Sequence, residues 1–206
     1  MKLPVPPLLV ISDRGQARRP LVEIAEAAFA GGCRWFSLRE KDLPADERRE
    51  LLAELVALGR RFSATVTAHE DIGAVVATDA DGVHLPSGTD PGAARARLPH
   101  ALIGASAHSP AAAATLIEAG ADYVTLSPIF LTESKPGYGP ALGLAPLAEA
   151  ARLTVGPVIA LAGIDESNAA QCITARASGV AVMGEVMRST DPEATVRALV
   201  AAIATS

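Results

Sequence analysis

The sequence predicts an α/β protein: a (β/α)8 TIM barrel built by one compact domain over residues 1–206. Three observations carry that prediction. Short β-branched or apolar runs alternate with Ala- and Leu-rich stretches at a spacing of roughly 25 residues. The strand runs are apolar throughout, the pattern of parallel strands covered by helices on both faces. The unit recurs about eight times, and neither a dinucleotide-binding glycine fingerprint after the first strand nor a P-loop occurs. A doubly wound open sheet is the alternative, because periodicity alone does not count strands.

The first strand covers 8–12, and its helix 20–30 has Pro20 in the first turn and Gly31-Gly32 as a stop. The second strand covers 35–39. Its helix, 44–61, is the longest and opens with Asp46 and Glu47, which suit a helix N-terminus. The third strand is 64–68 with a short helix 71–77, and the fourth 82–85 with a helix 91–98. The fifth is 102–106, followed by a helix over 110–119. The sixth, 123–126, delivers the loop SPIFLTESKPGYGPALG before a helix over 144–152. The seventh strand, 157–161, precedes a helix 166–175, and the eighth, 179–183, is closed by a helix 192–203.

Composition narrows the function. With 50% hydrophobic and 20% charged residues the chain is globular rather than disordered. A net charge of -5 argues against a nucleic-acid partner, and 3% aromatics leave no stacking platform for single strands. Prolines 4, 6 and 7 interrupt the first apolar run and Asp13 and Arg14 follow it; no stretch reaches membrane-spanning length, so a cytoplasmic location is expected. Cys33 and Cys172 lack metal-ligand spacing and read as buried reduced thiols. An Ala- and Leu-rich barrel face is compatible with a homo-oligomer.

In such a barrel, chemistry sits where strands turn into helices. Arg39 and Lys41 lie on alternate positions at the end of the second strand, so both cations project to one side. Pairing with Glu40, Asp42 or other carboxylates is the competing reading. Thr132, Ser134 and Lys135 put two hydroxyls and an ammonium within four residues of the sixth loop, a set suited to an oxyanion. Gly163 and the Met183-Gly184 pair mark the seventh and eighth turns, where barrel phosphate sites form on helix N-termini. Among the histidines, His84 lies inside a strand and reads as a core residue. His108, just past its strand, reads as an acid–base candidate, with His69 a weaker one.

The runs GVHLP, IGASAHS, ADYVTLSPIFLTESK, PVIALAGI and GVAVM, in that order, resemble the thiamine-phosphate synthase superfamily, including its TenI-like thiazole tautomerase branch. The resemblance runs from residue 10 to residue 183 and implies the same barrel. A synthase joins hydroxymethylpyrimidine diphosphate to hydroxyethylthiazole phosphate and releases diphosphate with Mg2+. By resemblance, Arg39 and Lys41 hold the diphosphate, and Thr132, Ser134 and Lys135 match a Thr-x-Thr-Lys loop at the thiazole and diphosphate. Gly163, Met183 and Gly184 match the thiazole-phosphate cradle, and Ser106 a serine beside the pyrimidine.

Departures from the pattern shape the expectation. Ser37 replaces a glutamine, and Thr67-Ala68 are read at the place of an Asn-Asp pair whose aspartate ligates Mg2+. The fourth turn reads Pro86-Ser87-Gly88-Thr89, with Asp90 one residue late for a second ligand. Glu70 or Asp90 would have to supply the oxygen donors. The Leu-Pro-Ser-Gly segment resembles the tautomerase branch, but Ser127-Pro128 stands at the place of its catalytic histidine. The sequence therefore predicts a TenI-like barrel that binds a small phosphorylated heterocycle, with His108, Ser106 and Lys135 as catalytic candidates. A transferase with relocated Mg2+ ligands and a non-catalytic phosphate-binding or regulatory barrel are the alternatives.

Overall fold

The computed structural model describes residues 2–132 and 139–204. Eight parallel strands close on one another in sequence order, so the barrel expected from the repeat is the fold found. The first half runs β1 (Leu8–Ile11), α1 (Leu21–Ala30), β2 (Trp35–Leu38), α2 (Ala45–Arg61), β3 (Thr65–His69), α3 (Ile72–Thr78), β4 (Gly82–Leu85) and α4 (Pro91–Arg97). The second half runs β5 (Leu102–Ala107), α5 (Pro110–Glu118), β6 (Tyr123–Leu126), α6 (Leu144–Leu153), β7 (Val158–Leu161), α7 (Ala169–Thr174), β8 (Gly179–Val182), α8 (Gly184–Met187) and α9 (Pro192–Ala204).

Most boundaries fall within one residue of expectation, and three departures stand out. Helix α7 starts at Ala169 rather than 166, because side chains tie down the preceding turn: the Asp165 carboxylate accepts from Ser167 N at 2.8 Å and from its hydroxyl at 2.6 Å. The four-residue α8 is too short to show a period, so the sequence did not announce it. Strand β3 continues to His69, and that extension changes the site.

Two apolar clusters hold the barrel. The larger packs outward-facing strand residues such as Val10, Phe36, Val66 and Ile103 against the helices. The smaller fills the lumen with Leu9, Ile11, Trp35, Leu102, Tyr123, Ile159 and Ala181. Trp35 and Tyr123 meet edge-to-face with ring centroids 4.7 Å apart, the arrangement favoured by aromatic quadrupoles. The lumen is not wholly apolar: Ser37, Thr67, His84 and Thr125 are buried in it. Cys33 and Cys172 are buried and unpaired, and burial pushes the Cys33 thiol up to about 11. Among the described residues no helix is long and apolar enough to cross a membrane.

Gly104 on β5 is where the Tyr123 ring lies against backbone. A Cβ there would sit 2.0 Å from the ring Cζ and 2.3 Å from the hydroxyl oxygen. Gly104→Ala is expected to destabilise the protein by about 3 kcal/mol, at the upper end of ordinary overpacking costs. Denaturant unfolding measures it, and a loss below about 1 kcal/mol would mean Tyr123 repacks freely.

Candidate active site

At the C-terminal end of the strands the loops enclose a cavity of about 510 Å³. Arg39, Lys41 and His69 line it on the β2–β3 side, and Gly163, Met183 and Gly184 on the β7–β8 side. Ser106, His84 and His108 lie between them and Thr132 also lines it. Ser134 and Lys135 fall outside the described residues.

The cationic end is built on a buried carboxylate. Glu40 is 3% exposed and accepts from the Ser12 hydroxyl at 2.7 Å and from Arg14 N at 3.1 Å. Burial pushes its carboxyl above the ordinary value, and the Ser12 and Arg14 hydrogen bonds oppose that. Ser12 Oγ also accepts from Arg39 N at 2.8 Å. This network pins the backbone between Arg39 and Lys41, so both cations reach the cavity from alternate positions. They do not pair with Glu40 or Asp42. Asp42 lies 2.5 Å from Arg14, Lys41 pairs with Glu70, and Arg39 has no carboxylate partner among the described residues.

Glu70 is the residue that the extended β3 re-places. Thr67 and Ala68, expected at the strand end, lie within β3 and are buried. Glu70, already a candidate oxygen donor, is the first carboxylate past the strand and follows its last residue directly. Its backbone sits at φ 66, with its N–H donating to the His84 carbonyl at 2.9 Å. A non-glycine residue in that region costs free energy that the surroundings must offset, a feature concentrated at functional sites. Asp71 beside it caps α3 through Ala74 N and pairs with Arg48 at 2.8 Å. The Asp90 carboxylate, the other expected oxygen donor, instead caps α4 through Gly92 N at 2.9 Å and lies outside the cavity lining.

The polar floor is centred on His84, which is 3% exposed as the core-histidine reading expects. Nδ1 lies 3.0 Å from the Tyr123 hydroxyl and Nε2 lies 2.9 Å from Ser106 Oγ. Burial, followed by the charges of His69 and Arg39, pushes its pKa down to about 3 from 6.5. The folded protein thus holds His84 neutral while the unfolded chain protonates it. The stability from neutral His84 is whole above pH 6.5 and falls as pH drops towards about 3. Relative to His84→Gln, the wild type should lose about 2 kcal/mol between about pH 7 and about pH 5 in denaturant unfolding. An unchanged difference would mean His84 protonates in the folded state. His108 is exposed at the rim, where Nδ1 donates to the Ser127 carbonyl at 2.9 Å and so carries the proton of the neutral ring.

At the opposite end, the β7 turn passes through positive φ at Ala162 (81) and Gly163 (65). A Cβ on Gly163 would lie 2.4 Å from the Leu131 carbonyl oxygen, so glycine lets the β6 loop settle over this turn. Ile129 N and Phe130 N donate to the Leu161 and Ala162 carbonyls, fixing that loop to the turn. Asn168 Nδ2 donates to the Gly163 carbonyl at 2.9 Å. Helix α8 opens at Met183-Gly184, where first-turn N–H groups have no intrahelical acceptor. Asp165, Glu185 and Arg188 also line this end, and burial, then Asp165, raises the Glu185 pKa.

The arrangement brings together the described members of the predicted site: Arg39, Lys41, Ser106, His108, Thr132, Gly163, Met183 and Gly184. Sequence reading missed Glu40 as the pin of the cationic end, and missed Tyr123. A carboxylate between two cations and an aromatic heading an aliphatic strand were the available signals.

A sequence profile described as thiamine monophosphate synthase matches residues 8–186. A thiamine-phosphate synthase of Roseiflexus sp. (strain RS-1) is 40% identical over 200 residues, covering 96% of this chain and 85% of that protein. One of Methanoculleus marisnigri is 40% identical over 198 residues, covering 93% and 92%. The solved structure of thiamine phosphate pyrophosphorylase from Pyrococcus furiosus superposes with a TM-score of 0.88 at 29% identity, covering 96% of this chain and 95% of that one.

Proposed function

The chain belongs to the thiamine monophosphate synthase family, and from that membership we propose that it is a thiamine-phosphate synthase. In this reading it joins hydroxymethylpyrimidine diphosphate to hydroxyethylthiazole phosphate. The observation that carries the reading is a single cavity with a cationic end at β2–β3 and a glycine-turn end at β7–β8. In the closed barrel these ends are separated by β1 on one side and by β4, β5 and β6 on the other, which leaves distinct places for two differently phosphorylated substrates. Relatives spanning nearly the whole chain carry the synthase name, which weighs for transfer over the tautomerase-like reading of residues 85–88.

Arg39 and Lys41 bind the pyrimidine diphosphate and hold charge that builds on it as the methylene C–O bond breaks. The thiazole ring nitrogen supplies the electron pair for the new C–N bond, and diphosphate leaves with the pair from the broken bond. The Gly163 turn and the start of α8 seat the thiazole phosphate and aim its ring at the methylene carbon. No proton moves in this exchange, so the reaction does not need the histidine that a tautomerase uses. His108 serves as a polar wall.

Mg2+ takes one or two carboxylates and completes its shell with phosphate oxygens and water. Glu70 fits that role: its carboxylate pairs with Lys41 and lines an adjoining pocket that shares Lys41 and His69 with the cavity, with the side chain 41% exposed. The ion would neutralise charge on the departing diphosphate. The test is incubation with both substrates and Mg2+. Thiamine phosphate and diphosphate should form in equal amounts. A folded protein that forms neither would overturn the assignment and leave a binding barrel.

A further inference from the structure

Tyr123 and His84 form a buried chain of hydrogen bonds that ends at Ser106, and the direction of that chain can be derived. The Tyr123 hydroxyl is fully buried, and among the described residues its hydrogen-bond partner is His84 Nδ1 at 3.0 Å. Burial raises the phenol pKa, so the group keeps its proton. If Nδ1 carried a proton and donated it to the phenol, the phenol's own O–H would be left as an orphaned buried donor. Such donors are scarcer in folded proteins than under-used acceptors. Tyr123 therefore donates, Nδ1 accepts, and the neutral ring carries its proton on Nε2.

Nε2 lies 2.9 Å from Ser106 Oγ and 3.3 Å from Thr125 Oγ1. Its N–H occupies the lone-pair side of Ser106, so the Ser106 O–H is free to turn elsewhere. Ser106 is half-buried and lines the cavity. The close approach of Tyr123 to Gly104 holds the phenol at the start of the chain, since any Cβ at Gly104 would meet the ring.

We propose that Tyr123 and His84 are positioning residues that set Ser106 as a hydrogen-bond donor into the cavity, selecting a ligand with a lone-pair-bearing atom at that place. The direction of the chain is a property of the protein alone. The identity of the acceptor, a ring nitrogen of the pyrimidine, rests on the synthase reading above. An amino or N–H group facing Ser106 would meet a donor and be disfavoured.

The test begins with the ligand-free protein carrying 15N-labelled histidine, read by long-range proton–nitrogen correlation of the imidazole rings. His84 should show a protonated Nε2 and a bare Nδ1. A protonated Nδ1 overturns the proposal. In Tyr123→Phe the ring should populate both tautomers; a tautomer that stays wholly Nε2–H would remove Tyr123 from the chain. If that variant fails to fold, the wild-type spectrum still decides the direction. Activity supplies the ligand half. The wild type should prefer the pyrimidine diphosphate over analogues with one ring nitrogen replaced by C–H by about fivefold for the nitrogen at Ser106. Ser106→Ala should level that preference, whereas a preference that survives the substitution contradicts the donor assignment. Absence of any turnover would sink the synthase reading and leave the tautomer result standing.

Discussion

Arg39→Ala is expected to lower kcat/KM for the pyrimidine diphosphate by about 10²–10³-fold, the range for removing one preorganised donor at developing charge. The guanidinium reaches the cavity with no carboxylate partner among the described residues, so it keeps its full charge for the ligand. Its backbone N–H stays tied to Ser12 in the variant, and the Ser12–Glu40 bond is untouched. Stability should therefore change by no more than about 0.5 kcal/mol. Arg39→Lys should recover only part of the loss, because an ammonium lacks the planar fork that grips two phosphate oxygens. KM for the thiazole phosphate should hardly move, since that substrate sits at the other end. Steady-state kinetics with each substrate varied in turn separates these effects, and an equal rise in both KM values would contradict the division of the cavity.

Glu70→Gln tests the carboxylate that follows β3 and pairs with Lys41 beside the cavity. The substitution keeps size and the backbone at φ 66 but removes the charge. Its pair with Lys41 has both side chains about half exposed (50% and 41%), and such pairs are worth little. Folding should be nearly unaffected. The Mg2+ concentration for half-maximal rate should rise by at least the roughly 10–100-fold that loss of an outer-shell partner costs a metal site. Glu70→Asp should sit between the two. An unchanged Mg2+ requirement in Glu70→Gln would mean that this carboxylate serves only Lys41.

The barrel was legible because its signal is repeated: each unit restates an apolar strand followed by a helix, and small errors at the ends do not alter the count. The anion-binding residues were legible for a related reason, since Arg39, Lys41, Gly163 and Gly184 sit at strand ends that the repeat itself locates. What failed depended on a single residue of register. Ending the third strand at 68 set Thr67-Ala68 at the strand end and left Glu70 as one of two candidate oxygen donors, whereas β3 runs to His69 and Glu70 follows it directly. Asp90 looked available in sequence, yet a helix N-terminus claims its carboxylate, a use that an Asp-Pro-Gly run also encodes. Glu40 read as a surface charge because its neighbours are charged. Only the fold brings Ser12 and Arg14 of the first turn against it. The Tyr123–His84–Ser106 chain crosses three strands, and no spacing in a linear sequence reports it.

The central claim is that one cavity holds two anions at separate ends. Calorimetric titration with hydroxyethylthiazole phosphate and with diphosphate plus Mg2+, each alone and then in the presence of the other, tests it most directly. Both ligands should bind, each with its stoichiometry of one preserved when the other is saturating. Mutual exclusion would mean a single anion site, and the two-ended cavity on which the synthase assignment rests would be wrong.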